Sequence, residues 1–144
     1  MIRKADRGDA RILGELASRL WPHHTPEEME REMEELLQLE DAAAFLAFEA
    51  GKALGFAQCG LRRDYVEGTE SSPVGYLEGI FVAEEARGSG LAGRLLSACE
   101  EWARSWGCTE FASDCELDNE KSYGFHLRMG FQEANRIICF TKKL

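Results

Sequence analysis

Between Val74 and Trp106 the chain runs V-G-Y-L-E-G-I-F-V and then crosses a short connection ending in R-G-S-G at Arg87 to Gly90. It continues with apolar residues at helical spacing, namely Leu91, Leu95, Cys99, Trp102 and Trp106. A strand that enters a helix through a glycine-rich turn leaves the first amides of that helix without carbonyl partners, and the helix dipole adds partial positive charge there. Such a turn is a cradle for phosphate. It is not a P-loop, because no Gly-Lys-Ser/Thr comes after it, and it lacks the full G-x-G-x-x-G spacing of dinucleotide folds. Arg87-Gly88-Ser89-Gly90-Leu91-Ala92-Gly93 is therefore the candidate anion site.

The strand itself is unusual. Alternation puts Tyr76, Glu78, Ile80 and Val82 on one face and Leu77, Gly79 and Phe81 on the other. Glu78 is a carboxylate in an otherwise apolar run, and Gly79 weakens a strand unless a bulge or a close backbone approach is wanted. A strand bent open here leaves N–H and C=O groups free to pair with an extended ligand.

The remaining elements fall around this unit. Ile2 to Ala5 predicts a short strand. Asp9 to Leu20 predicts a helix capped by Asp9, with Ile12, Leu13, Leu16, Ala17 and Leu20 on one stripe, and Trp21-Pro22 stops it. Thr25-Pro26-Glu27-Glu28 reads as a capping box with proline at the first helical position, opening a helix to about Leu39. Phe45 to Ala50 and Leu54 to Leu61 predict a hairpin turning at Gly51-Lys52, and the polar stretch from Arg62 to Pro73 predicts a loop. A strand at Glu110 to Ser113, a helix from Asn119 to Met129 closed by Gly130, and a last strand from Phe131 to Thr141 complete the chain. The order β-α-α-β-β-β-α-β-α-β describes an α/β fold in one domain, residues 1–144: a mixed sheet with helices on both faces.

Length and charge narrow the function. At 144 residues the chain can bury a sizeable core without disulfides or metal. Its five cysteines form no C-x-x-C pair and read as reduced thiols, and the adjacent His23 and His24 have no cysteine pair to complete a zinc site. No apolar stretch approaches the ~20 residues needed to span a bilayer, and the charged N-terminus carries no signal peptide, so a cytoplasmic location with no membrane contact is expected. The formal net charge of −9 argues against a nucleic-acid partner. Eight carboxylates against Arg31 alone lie between Pro26 and Asp41. That helix is either a solvated face or one wall of a cleft that attracts cations.

At Arg87-x-x-Gly90-x-Ala92 the sequence resembles the Q/R-x-x-G-x-G/A signature of the GNAT N-acetyltransferases, and the likeness extends over nearly the whole chain. The segments S-S-P-V-G-Y-L-E-G-I-F-V, C-T-E-F-A-S-D at Cys108 to Asp114, L-D-N at Leu117 to Asn119 and the closing C-F-T-K-K-L are similar to those of aminoglycoside 6′-N-acetyltransferases. The resemblance implies a mostly antiparallel sheet with a splayed strand, acetyl-coenzyme A as donor, no metal, and a homodimer. It also implies that the pyrophosphate sits on the amides of Arg87, Gly88, Ser89, Gly90, Leu91, Ala92 and Gly93. The pantetheine arm would run along Ile80, Phe81 and Val82, with Asn119 and His126 alongside. His126 occupies the position where many members carry a tyrosine that protonates the departing thiolate. Trp21, Tyr65, Glu78 and Asp114 are the implied contacts to a cationic aminoglycoside, and Asn135 stands where relatives carry a carboxylate.

Amine chemistry adds a demand of its own. An alkyl ammonium with pKa near ~10.4 is only about one part in 10³ free amine at pH 7, and only the free amine attacks a thioester. A carboxylate must therefore stand at the reacting nitrogen, and Glu78 is the expected base with Asp114 as its partner. Strand amides near Phe81 would polarise the thioester carbonyl. Two other readings remain: the same chemistry on a polyamine, a metabolite or a protein N-terminus, and an acyl-coenzyme A sensor without catalysis.

Overall fold

The computed structural model describes all 144 residues. Five strands, β1 (Ile2–Lys4), β2 (Ala42–Glu49), β3 (Lys52–Arg62), β4 (Val74–Val82) and β5 (Phe111–Ser113), form one sheet in chain order. Neighbours pair antiparallel except β4 with β5, which are parallel. The helices are α1 (Ala10–Leu20), α2 (Pro26–Leu36), α3 (Leu91–Ser105) and α4 (Glu120–Arg128).

Each sheet face has its own core. Leu13, Leu16 and Ala17 of α1 and Met29, Met33 and Leu36 of α2 pack on Ala44, Leu46 and Phe56. On the other face Leu91, Leu95, Leu96, Cys99, Trp102 and Ala103 of α3 pack on Phe45, Ala57, Cys59 and Leu77, with Phe125 of α4 at the margin. All three of these helices bury stripes at 3.6-residue spacing, so apolar periodicity located them correctly. The thiols of Cys59, Cys99 and Cys108 are buried as expected, while Cys115 and Cys139 are exposed, and all five are free.

Several local expectations shift. Asp9 precedes α1 but does not cap it with its side chain. Its buried carboxylate instead accepts from both terminal nitrogens of Arg3 at 2.7 and 2.8 Å and from the Asp6 amide at 2.8 Å, tying β1 to the start of α1. The box at α2 is half formed. Thr25 Oγ1 accepts from the Glu28 amide at 3.1 Å, but the Glu28 carboxylate turns to His24 Nδ1 at 3.2 Å. The β2–β3 hairpin turns at Ala50-Gly51, one residue earlier than expected, with Glu49 opposite Lys52 and φ positive at both turn residues (50° and 76°).

The last strand is the main correction. From Phe131 to Leu144 the backbone forms no strand, and no amide from Gln132 onward donates to a backbone carbonyl. Ile137, Ile138 and Phe140 are exposed. Apolar residues there suit a strand, but a strand exists only where a neighbouring edge takes up its hydrogen bonds, and this tail pairs with neither open edge of the sheet, at β1 or at β5.

A two-residue turn with positive φ at both positions favours Asn-Gly, whereas Ala50 bears the steric cost of its Cβ. Ala50→Asn is expected to raise stability by about 0.5–1 kcal/mol, read as a higher midpoint in thermal or urea unfolding with an unchanged urea slope.

Candidate active site

β4 is where the sheet departs from regularity. Gln58 pairs with Gly79 and Cys59 with Leu77, so Glu78 is an extra residue without a partner on β3. A bulge of this kind interrupts alternation and bends the strand. It also corrects the face assignment made from strict period two. Glu78 and Gly79 both face α1 and α2, since Glu78 lines a cavity with Trp21 and Gly79 lies under the Trp21 ring. Beyond the bulge the phase is reversed. Ile80 and Val82, expected beside Glu78, pack against the α3 core.

Gly79 is required by contact rather than by backbone angle. A Cβ there would lie 2.6 Å from Trp21 Cζ2 and 2.7 Å from Cη2. Trp21 ends α1 and meets Phe56 edge-on, with ring centroids 6.1 Å apart. Trp21, His24, Met29, Glu32, Gln58 and Glu78 line a cavity of about 250 Å³ between the sheet and α2. Of the acidic helix, Glu32 reaches this cavity, while Glu27, Glu34 and Glu35 are exposed. The cleft-wall reading thus holds for one carboxylate and the solvated-face reading for most of the others.

Glu78 is not a free carboxylate. Arg62, the last residue of β3, approaches it with Nη2 at 2.8 and 3.1 Å from the two oxygens and Nε at 3.3 Å. The same guanidinium lies 3.5 Å from the centroid of the Tyr76 ring. Burial would depress Arg62, but its hydrogen bonds and attraction to Glu78, with the charges of Tyr76 and Asp114, outweigh this and hold it above its ordinary value. The buried Tyr76 hydroxyl donates to Asp114. Burial first, then that hydrogen bond and the Asp114 charge, push the phenol well above its usual range, so it stays a donor. Arg62, Glu78, Tyr76 and Asp114 form one connected set spanning β3, β4 and the end of β5.

Along its other edge β4 pairs with β5 only from Gly75 to Leu77, opposite Phe111 to Ser113, and then runs on to Val82 paired with β3 alone. The two strands part at the level of Glu78. His126 sits beside this fork with both ring nitrogens engaged: Nδ1 lies 2.6 Å from the Ser122 carbonyl and Nε2 2.8 Å from Ser113 Oγ. A carbonyl only accepts, so Nδ1 carries a proton, and Ser113 is the group through which Nε2 communicates with the fork. Ser113 Oγ also lies 3.3 Å from the Leu77 carbonyl. Asn119 spends its Oδ1 on the Ser122 amide at 3.1 Å, capping α4.

The glycine-rich turn lies at the end of β4, as expected. Gly88 and Gly90 have φ of 80° and 81°, and Gly90 starts α3 with no side-chain cap. Amides from Gly88 to Gly93 donate to no backbone carbonyl. This is a row of free donors at a helix N-terminus and fits a diphosphate. Arg87 differs from its neighbours, because its amide already donates to the Glu84 carbonyl at 3.2 Å and its Nε to the Val82 carbonyl at 3.2 Å. It braces the turn instead of adding an amide to the row.

Tyr65 and Asn135 stand apart from the cavity lining. Tyr65 is 76% exposed, its hydroxyl accepting from the Gly68 amide at 3.4 Å, and Asn135 Nδ2 donates to Glu67 at 3.1 Å. Arg62, Tyr76, Ser113, Gln58, Glu32 and His24 were not singled out from sequence. Two of them carried a signal: Tyr76, an aromatic residue two positions from Glu78, and Glu32, one of the carboxylates of the acidic helix.

A groove along the open edge of β4, closed by free helix amides and backed by a carboxylate on the opposite side, is the layout of an acyltransferase that brings two substrates together through a sheet. Residues 11–131 match the Acetyltransferase (GNAT) family, and the chain belongs to that family. It is 44% identical over 130 residues to aminoglycoside N(6′)-acetyltransferase type 1 of Serratia marcescens, spanning 90% of this chain and 89% of that protein. The counterpart from Stenotrophomonas maltophilia is 43% identical over 147 residues, spanning 99% and 93%. Among solved structures, AAC(6′)-Iy in complex with the bisubstrate analogue CoA-S-monomethyl-acetylneamine superimposes with a TM-score of 0.95 at 38% identity, covering 100% of this chain and 98% of that one. The 6′-N-acetyltransferase AAC(6′)-IG of Acinetobacter haemolyticus does so with a TM-score of 0.95 at 39% identity, covering 100% and 99%.

Because the indole occupies the space above residue 79, Gly79→Ala is expected to expel Trp21 and cost about 1–3 kcal/mol. Urea unfolding measures the loss, and a shift of tryptophan emission toward the solvent-exposed wavelength reports the displaced ring.

Proposed function

We propose that this protein transfers the acetyl group of acetyl-coenzyme A to the 6′-amino group of aminoglycoside antibiotics and so confers resistance to them. The observation that carries the reading is the bulged Glu78, which places a carboxylate in the Trp21 cavity at the level where β4 leaves β5. Full-length relatives named for this activity, at about 40% identity, support it.

The donor would lie along Ile80, Phe81 and Val82, with its pyrophosphate on the free amides of Gly88, Ser89, Gly90, Leu91, Ala92 and Gly93 and Arg87 bracing the turn. Asn119 shapes this side by capping α4. The acceptor would enter from the α1/α2 face, with Trp21 against a sugar ring, Glu78 and Asp114 at the ammonium groups, and Tyr65 and Asn135 at the more distant rings. The reacting ammonium gives one proton to Glu78 or through water to solvent. The freed nitrogen lone pair then forms the C–N bond at the acetyl carbon, a second N–H proton leaves to water, and the C–S bond breaks with its electrons passing to sulfur. A proton returns to that thiolate from the Ser113 hydroxyl, which is replenished by the Nε2 proton of a doubly protonated His126 imidazole. Deprotonation amounts to about 4–5 kcal/mol of the barrier at pH 7, the part a positioned carboxylate reduces.

Asn135 in place of a carboxylate removes one charge from the acceptor side and selects against acceptors that depend on an ammonium there. The unpaired tail from Phe131 to Leu144 supports a homodimer in which each copy's tail joins the other's sheet. The free thiols and the need for acetyl-coenzyme A fit a cytoplasmic enzyme.

Thiol release from acetyl-coenzyme A is the direct test, with a kanamycin-type antibiotic, spermidine and a basic peptide as acceptors. Turnover should be confined to the antibiotic. Tight coenzyme A binding without release for any amine would point to a sensor instead. Glu78→Gln should lower kcat/KM for the antibiotic by about 10²-fold or more while coenzyme A affinity is kept, and near wild-type turnover would remove Glu78 from the mechanism. In sedimentation equilibrium the protein should run as two chains, and a chain ending at Arg136 as one.

A further inference from the structure

The pairing of Arg62 with Glu78 bears on a difficulty built into any acidic amine site. A carboxylate that attracts an ammonium also stabilises its protonated form, whereas only the free amine reacts. In this structure the carboxylate already carries a cation. Arg62 contacts both oxygens of Glu78, and its stacking on Tyr76 at 3.5 Å anchors it independently of that carboxylate. An ionised carboxylate has about four lone-pair positions, so Glu78 retains capacity for an incoming amine without releasing Arg62.

We infer that Arg62 is a resident counter-cation which stays beside Glu78 when the acceptor binds, so that the reacting ammonium meets a like charge and gives up its proton more readily. Arg62 is thus a positioning residue, acting through Glu78 rather than on the donor. With Glu78, Asp114 and Arg62 counted together the set carries a net charge of −1 rather than −2. The pocket still attracts a cation, but holds the reacting one less firmly in its unreactive form. A like charge at this range lowers an ammonium pKa by on the order of one unit, which is about tenfold more free amine at neutral pH. The inference rests on the acetyltransfer reading above and adds the device that sets its pH range.

The groups that face Glu78 are Arg62 from β3, Tyr76 from β4, Asp114 after β5, Glu32 from α2, and His24 before α2 with Glu28 behind it. Tyr76 does not titrate in the working range. His24 is the one imidazole among these groups, so the comparison is made in a His24→Gln background.

The experiment measures kcat and KM against pH for Arg62→Gln and Arg62→Lys with a kanamycin-type acceptor. For Arg62→Gln the acid limb of kcat, which reports the bound complex, should move about one unit to higher pH. At pH 7, kcat should fall about tenfold while KM for the antibiotic falls too, because the ammonium is now held more tightly. Arg62→Lys, which keeps the charge, should restore the limb. A second series uses acceptors whose reacting amine is less basic, and the Arg62→Gln penalty should shrink as that basicity falls. An unmoved limb, a raised KM and an equal penalty for every acceptor would show that Arg62 merely holds Glu78 in place and would overturn the inference. If Arg62→Gln fails to fold, Arg62→Lys and Arg62→Ala are compared after confirming coenzyme A binding, with the same readings deciding. No turnover of any amine by the unsubstituted protein would sink the functional reading itself, a different result from normal turnover with an unshifted limb.

Discussion

The unpaired Glu78 in β4 is the point on which the rest of the molecule turns. One inserted residue bends the strand, puts two successive residues on the α1/α2 face, and reverses the phase of the strand beyond it. The carboxylate then belongs to the α1/α2 side, while Ile80 and Val82 turn toward α3. The parting of β4 from β5 after Leu77 lies at the same level. A groove on one side and a carboxylate on the other are consequences of a single irregularity, and the parallel pairing below it supplies the rigid base from which the strands diverge.

Electrostatics at this point are balanced rather than simply acidic. The chain carries a formal net charge of −9, and α2 holds much of the excess, yet most of that helix's carboxylates face solvent. Such charge acts at long range, drawing a polycation toward the surface and falling away with salt. Around the bulge the structure instead interleaves signs: Arg62 against Glu78, and the neutral Tyr76 hydroxyl against Asp114. Long-range attraction and short-range charge balance are thereby separated in space.

The parts legible in sequence are those dictated by local rules. Apolar periodicity located α1, α2 and α3, the glycine pair at Gly88 and Gly90 marked the start of α3, and the conflict of Glu78 and Gly79 with a regular strand flagged the bulge. The phase change across that bulge was hidden, because alternation read along one strand carries no information about its partner. The Arg62–Glu78 contact depends on hairpin register, which sets Arg62 opposite Val74. The Tyr76–Asp114 contact depends on a parallel pairing between segments far apart in sequence. The tail was read as a strand from composition alone, and composition does not say whether an edge is available. The His126 ring was assigned to the donor side, but its ties to Ser122 and Ser113 required the approach of α4 to β5.

Trp21 and Gly79 form a lock with consequences for how this site can diversify. The indole fills the volume that any larger residue at 79 would claim, and its ring also rests on Phe56. Neither position can drift alone, so the floor and one wall of the cavity are frozen as a pair. The opposite wall has no such constraint, since Glu32 lies on an exposed turn of α2 with no packing duty. A lineage under selection for a differently shaped cavity would therefore find its accessible steps on α2, leaving the Trp21–Gly79 floor as inherited.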